Sequence, residues 1–151
     1  MSSFIGSETS AVDAKGRVVV PARLRRGLAP ESADTFTIVR GPEGCVNMYP
    51  LDEWRRYADR MRSMAVGDKQ VRKFFRLISD SATESTIDGQ GRVSLTRKLL
   101  EHAGVTGQAK LVGAFDHIEL WNPAHFEEGV SSVDSSFDQI YDDVLGDRNH
   151  E

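Results

Sequence analysis

The chain has a single cysteine, Cys45, among 151 residues, which excludes an intrachain disulfide framework and the paired-cysteine spacing of a zinc finger. Cys45 therefore reads as a buried or half-buried thiol in a reducing compartment. No run approaches the roughly 20 apolar residues that span a bilayer, and the opening Met1-Ser-Ser-Phe-Ile-Gly-Ser lacks the basic and apolar segments of an export signal. These two absences argue against secretion and membrane insertion and for a cytoplasmic protein. There is no Gly-Lys-Ser/Thr phosphate loop and no dinucleotide fingerprint. His102, His117, His125 and His150 are scattered without metal-ligand spacing, and Ser79, Ser81 and Ser85 have no suitably spaced histidine to activate them. Neither a metal, a cofactor nor a catalytic residue is expected. Asp13 and Asp88 are conceivable acid-base groups, but the adjoining Arg17 and Arg92 make ion pairs the better account.

A uniform charge is also missing. The chain carries a net charge of -4, yet Glu127 to Glu151 holds eight acidic residues and one basic, a net of -7. The first 126 residues then hold 18 basic and 15 acidic side chains, a net of +3. Within them, Lys15, Arg17, Arg23, Arg25 and Arg26 crowd into fourteen positions with Asp13 as the one acid. Local density of this kind, rather than whole-chain charge, decides which face can meet phosphate.

What the chain does have is an internal repeat, the first thing to seek because a missed repeat misassigns the fold. At an offset of 75, Asp13, Gly16, Arg17, Val18, Val20, Arg23 and Leu24 meet Asp88, Gly91, Arg92, Val93, Leu95, Lys98 and Leu99. Further on the offset becomes 72: Gly41, Val46, Met48, Tyr49 and Trp54 meet Gly113, Ile118, Leu120, Trp121 and Phe126. The duplication spans roughly 45 residues per copy.

Each copy reads in the same order: a glycine turn, a short strand, a short helix and two further strands. Gly16 can supply a positive φ before a strand over Arg17 to Val20, and Pro21 suits the first turn of the helix that follows. In the second copy Val93-Ser94-Leu95 alternates like a half-buried strand, and Thr96 is the N-cap for Arg97 to Ala103. Gly27 and Gly104 sit where these helices should stop. Thr35 to Arg40 and Val46 to Tyr49 form one hairpin, and Lys110 to Gly113 and His117 to Trp121 the other. A unit this small cannot hold a core alone, so two copies should pair as a pseudo-dimer.

Between the copies, Leu51 to Met64 and Asp68 to Asp80 have helical periodicity. Asp52 is the candidate cap of the first, with Trp54, Tyr57, Ala58 and Met61 on one face; Val71, Phe74, Phe75 and Ile78 line the second. Pro123 to Glu128 is the shorter counterpart in copy two. From Glu128 serine and aspartate accumulate, although Val130, Val133, Phe137, Ile140, Tyr141, Val144 and Leu145 could form an amphipathic docking segment.

The pattern Asp-Ala-Lys-Gly-Arg-x-x-x-Pro-x-x-Leu-Arg, the later Asp-Gly-Gln-Gly-Arg-Val, and the Tyr-Pro-x-x-x-Trp between them resemble the MraZ family. The resemblance covers about residues 4 to 127, and the tail from Glu128 matches nothing in it. It implies a β-rich α+β fold in which two tandem SpoVT/AbrB-type swapped-hairpin half-barrels form a pseudo-dimer with intervening helices. The expected divisions are residues 4–52 for unit 1, 53–80 for the helical connection, 81–127 for unit 2 and 128–151 for an acidic tail, partly disordered or docking. The resemblance further implies a transcriptional regulator of the bacterial division and cell wall gene cluster. Such a regulator binds repeated boxes near its own promoter as a ring-like homo-oligomer and is associated with the nucleoid.

Double-stranded DNA is therefore the expected partner. Lys15 would contact phosphate and Arg17 or Arg23 a guanine edge, supported by Arg25 and Arg26 on the adjacent helix start. The second copy has Gln90 where the first has Lys15, so Arg92 should contribute less. Two plainer readings stand beside this one. Each aspartate could cap its turn and brace its arginine, fixing a hairpin without touching DNA. Arg55, Arg56, Arg60, Arg62, Lys69, Arg72, Lys73 and Arg76 fit a solvated or subunit-facing helical surface better than a DNA contact. Overall, the rival to a regulator is a protein-interaction module with incidental DNA affinity.

Overall fold

Short strands joined by glycine-bearing turns assemble into one six-stranded antiparallel sheet, buried most deeply along Thr35–Arg40 and Val46–Pro50, and one two-stranded ribbon. The computed structural model describes residues 1–64, 67–134 and 136–146, and the side chains of all of these except 130–134. The elements in chain order are β1 (Ser7–Ala11), β2 (Arg17–Val19), α1 (Ala22–Arg25), β3 (Thr35–Arg40), β4 (Val46–Pro50), α2 (Leu51–Arg62) and α3 (Lys69–Ser81). They are followed by β5 (Thr83–Thr86), β6 (Arg92–Ser94), α4 (Arg97–Ala103), β7 (Gln108–Gly113), β8 (Ile118–Trp121), α5 (Pro123–Asp134) and α6 (Phe137–Tyr141).

The strand order β1-β7-β8-β4-β3-β5 reads the same from either end once β1 is exchanged with β5, β3 with β7 and β4 with β8. A pseudo-two-fold therefore relates the copies, and the hairpins are swapped. The first strand of copy one pairs with β7 (Ala11 opposite Gln108), and that of copy two with β3 (Thr86 opposite Thr35). β2 and β6 pair with each other as a separate ribbon, Val18 opposite Val93, and Val18 also bridges Val12 just after β1. The core repeats the symmetry: Val18, Leu24, Ile38, Val46 and Met48 are buried beside their counterparts Val93, Leu99, Leu111, Ile118 and Leu120. The β-rich α+β swapped-hairpin architecture is thus present.

Local details depart from expectation. Gly113 opposes Ile118 as Arg40 opposes Val46, so Gly113 is the counterpart of Arg40 and not of Gly41. The hairpin turn of copy one is simply one residue longer. Asp52 does not cap α2, whose N-cap is Pro50; instead its carboxylate accepts from the backbone N–H and the hydroxyl of Ser2, each at 2.9 Å, and ties down the N-terminus. Asp68 does cap α3, and Thr96 caps α4. Gly104 ends α4 at φ +63, but Gly27 ends α1 for another reason: the backbone of Ser3 passes so close that no Cβ would fit. Phe74 is turned outward from α3, away from half-buried Val71, Phe75 and Ile78.

The helix that starts at Pro123 runs on to Asp134 rather than stopping near Glu128. Asn122 accepts from the His125 N–H at its start, and Lys110 sits 4.4 Å over the Phe126 ring, anchoring its first turn. The side chains of Val130 and Val133 lie outside the described residues, as does His150. No described helix is long and apolar enough to cross a membrane.

Candidate nucleic-acid interface

The two repeated motifs fold into matching turns. Asp13 accepts from the backbone N–H groups of Lys15 and Arg17, both at 2.9 Å, and Gly16 closes the turn at φ +79. Asp88 accepts from Gln90 and Arg92 at the same 2.9 Å, with Gly91 also at φ +79. The second carboxylate oxygen takes the arginine Nε–H, at 2.6 Å for Arg17 and 2.9 Å for Arg92. The backbone N–H of Arg17 contributes most to holding the Asp13 carboxyl below the usual carboxylate range, and that of Arg92 does the same for Asp88.

Bracing is thus a property of both copies. It does not exhaust the arginines, because Nε–H is one of five guanidinium donors and the terminal nitrogens lie outside that bond. A braced stem aims the fork. The Arg17 and Arg92 side chains keep 32% and 23% of their surface exposed.

Strand alternation decides where they aim. Val18 and Val93 point into the core, so Arg17, Val19, Arg92 and Ser94 form the outer face of the β2–β6 ribbon. Arg17 lies opposite Ser94 and Arg92 opposite Val19. The two motif arginines therefore share one face, offset by two residues, about 7 Å along the strand.

The remaining basic residues do not join Lys15 and Arg17 in one cluster. β2 runs from the first turn towards the second, and Val20 N–H donates to the Gly91 carbonyl at 2.8 Å, so α1 arrives at the opposite copy's turn. Arg25 donates its Nε–H to the Val20 carbonyl at 2.9 Å, and its guanidinium carbon is 3.2 Å from where a Cβ on Gly91 would be. Its counterpart, Leu100, covers Gly16 in the same way. Arg23 packs over Gly6, and Arg26 is exposed at the end of α1. The second turn, poor in charge on its own, thereby receives a cation from the first copy. A shallow cavity of about 500 Å³ beside the first turn is lined by Lys15, Gly16, Arg97, Leu100 and Glu101.

Sequence reasoning missed this exchange, and it did not bring Arg97, a cation of the second copy that is 91% exposed, beside Lys15. The repeat carried a partial signal, since two copies too small to fold alone must interleave. Which turn each helix meets depends on the antiparallel β2–β6 register, which no single copy displays.

The described histidines, His102, His117 and His125, serve the packing of one copy on the other. His102 Nε2 lies 3.1 Å from the Gly41 carbonyl and His125 Nε2 3.0 Å from that of Glu43, both on the β3–β4 turn. His117 stacks on Tyr49 at 4.9 Å between ring centroids; burial alone would lower its pKa, but hydrogen bonds to Glu119 and Asp116 outweigh it and leave it raised. Burial pushes the Cys45 thiol up to about 12, an inert core cysteine. Among the described residues no cluster of three histidine, cysteine or carboxylate side chains could hold a metal ion.

A duplicated swapped-hairpin protein presenting a braced, arginine-bearing two-stranded ribbon is the class these features define. The chain belongs to the MraZ family: the family model described as "MraZ protein, putative antitoxin-like" matches residues 3–77 and again residues 78–147. The second match carries the family to residue 147, into the acidic tail that the motifs alone had left outside it. The chain is 34% identical over 141 residues to the "Transcriptional regulator MraZ" of Lactobacillus delbrueckii subsp. bulgaricus, covering 93% of this chain and 96% of that one. Its identity to the protein of the same name from Clostridium beijerinckii is 36% over 138 residues, 91% and 93% of the two chains. The one from Natranaerobius thermophilus is 30% identical over 142 residues, 94% and 96%. The name these relatives share is that of a regulator, not of an enzyme.

Proposed function

We propose that this protein is a sequence-specific DNA-binding transcriptional regulator that reads duplex DNA with the outer face of the β2–β6 ribbon. The observation that carries this reading is the shared face of Arg17 and Arg92, each braced at Nε by its aspartate and each keeping part of its side chain exposed. A two-stranded ribbon fits the major groove, and a bidentate arginine contact to guanine discriminates by about 1 to 3 kcal/mol. Lys15 and Arg25 flank the two ends of the ribbon as phosphate contacts, with Arg23, Arg26 and Arg97 further out. Arg92 is then a full partner of Arg17 rather than a minor one.

A single ribbon this short is a weak reader. Several copies in a homo-oligomer would bind tandem boxes through effective concentration, which suits repeated sites near the protein's own promoter in the division and cell wall gene cluster. The setting is the cytoplasm, at the nucleoid. Fluorescence anisotropy with the duplex upstream of the protein's gene, a scrambled duplex and a salt series tests this. The upstream duplex should bind at least ten times more tightly, with both affinities falling as salt rises. Equal affinity for the two duplexes overturns it in favour of a protein-interaction module whose DNA affinity is incidental.

A further inference from the structure

The outer face of the β2–β6 ribbon carries four side chains, and only two of them are alike. Strand alternation puts Arg17 and Val19 of β2 on that face together with Arg92 and Ser94 of β6, while Val18 and Val93 turn into the core. The register sets Arg17 opposite Ser94 and Val19 opposite Arg92. Each end of the face therefore presents one arginine and one smaller side chain, and the two come from different copies.

The pseudo-two-fold between Val18 and Val93 exchanges Arg17 with Arg92 and Val19 with Ser94. The arginines obey that symmetry, down to the matching bonds from Nε to Asp13 and Asp88. The other two residues break it. Val19 is 39% exposed and offers methyl groups with no polar atom; Ser94, also exposed, offers a hydroxyl that can donate or accept. The Ser94 backbone N–H is taken by the Ser85 hydroxyl at 2.9 Å, which holds β6 in place at that point. A single exposed valine is ordinary on a protein surface. This one stands across the ribbon from Arg92, on the face that meets the bases.

Base edges in the major groove distinguish two such residues. Thymine carries a C5 methyl group that an apolar side chain recognises by contact, whereas a serine hydroxyl bonds to any of several base edges and discriminates little. We propose that Val19 is a specificity-determining residue that packs on a thymine methyl in the half of the site where Arg92 reads guanine, while Ser94, beside Arg17, leaves the equivalent position of the other half permissive. The inference rests on the reading of duplex DNA by this ribbon and adds a direction to it. Guanines related by the two-fold, with a thymine demanded in one half only, make a core that the ribbon binds in one orientation.

Deoxyuridine, which lacks only the thymine methyl, is the probe. Each thymine position of the footprinted upstream duplex is replaced in turn, and affinity is measured by competition anisotropy for the wild type, Val19→Ser and Ser94→Val, with melting temperatures to establish that these surface variants are folded. The wild type should lose about fourfold in affinity at one thymine position, the worth of one buried methyl-sized group. Val19→Ser should bind the thymine and deoxyuridine duplexes equally. Ser94→Val, given a duplex with thymine at the symmetry-related position, should become sensitive to deoxyuridine there as well. A wild type without a sensitive thymine, a sensitivity that Val19→Ser keeps in full, or a Ser94→Val chain indifferent to the second methyl overturns the valine contact. It does so alone where Arg17→Ala and Arg92→Ala still lose specific affinity; where those two lose none, reading by the ribbon falls with it.

Discussion

Val18 and Val93 face each other across the antiparallel β2–β6 ribbon, 0% and 1% exposed, and each is the other's counterpart in the repeat. The pseudo-two-fold passes between them and, in the large sheet, between Asn47 and Glu119, which oppose each other across β4 and β8. The two copies thus share one core instead of owning two. Leu24→Ala and Leu99→Ala remove equivalent buried side chains and should each destabilise by about 2 to 5 kcal/mol. Urea unfolding should show one transition in both variants. Two separated transitions would mean that the halves fold independently, contrary to the swapped β1–β7 and β5–β3 pairings.

The turn glycines should differ in their tolerance of alanine. Both sit at φ +79, where a side chain is strained by about 1 kcal/mol or more. A Cβ at Gly16 would also lie 2.7 Å from the Leu95 carbonyl oxygen, fixed backbone, whereas one at Gly91 meets only the movable Arg25 guanidinium at 3.2 Å. Gly16→Ala should therefore lower the urea midpoint clearly more than Gly91→Ala. The reverse order would contradict the packing at the first turn.

Acid should loosen both turns. The Asp13 and Asp88 carboxyls are held below their ordinary value by the backbone N–H groups of Arg17 and Arg92, so protons bind the unfolded chain more readily. The stability they contribute is fully present above the ordinary aspartate value of 3.8 and is lost as pH falls through the lower folded values. Melting temperatures of Asp13→Asn and Asp88→Asn between neutral pH and pH 2 check this. Each variant should start below the wild type at neutral pH and converge towards it in acid; a constant gap would mean that the carboxylate charge plays no part.

The duplicated turns, the strand and helix order and the need for a shared core were legible in the sequence, because a glycine turn followed by a period-two alternation appears twice. Asp13 and Asp88 also announced their bracing role through a turn-forming residue four positions before an arginine. Two things were not legible. The contiguous run from Lys15 to Arg26 looked like one basic cluster, yet three residues of strand carry the chain to the opposite end of the ribbon, and Arg25 lands on Gly91. Likewise, Gln90 leaves the second motif one cation short in the sequence, and only the fold shows that Arg25 of the first copy lies over its turn. Linear charge density overlooks a swap.

The decisive measurement is DNA affinity, by anisotropy on the upstream duplex, for Arg17→Ala and Arg92→Ala, alongside the melting temperature of each. If the ribbon reads DNA with both arginines, each substitution should lower specific affinity by roughly tenfold or more, as expected for loss of a bidentate base contact. The two losses should be comparable, with affinity for scrambled DNA and the melting temperature far less affected. Unchanged specific binding in both variants, or binding that declines only in step with thermal stability, would contradict it and leave the arginines as braces of the fold.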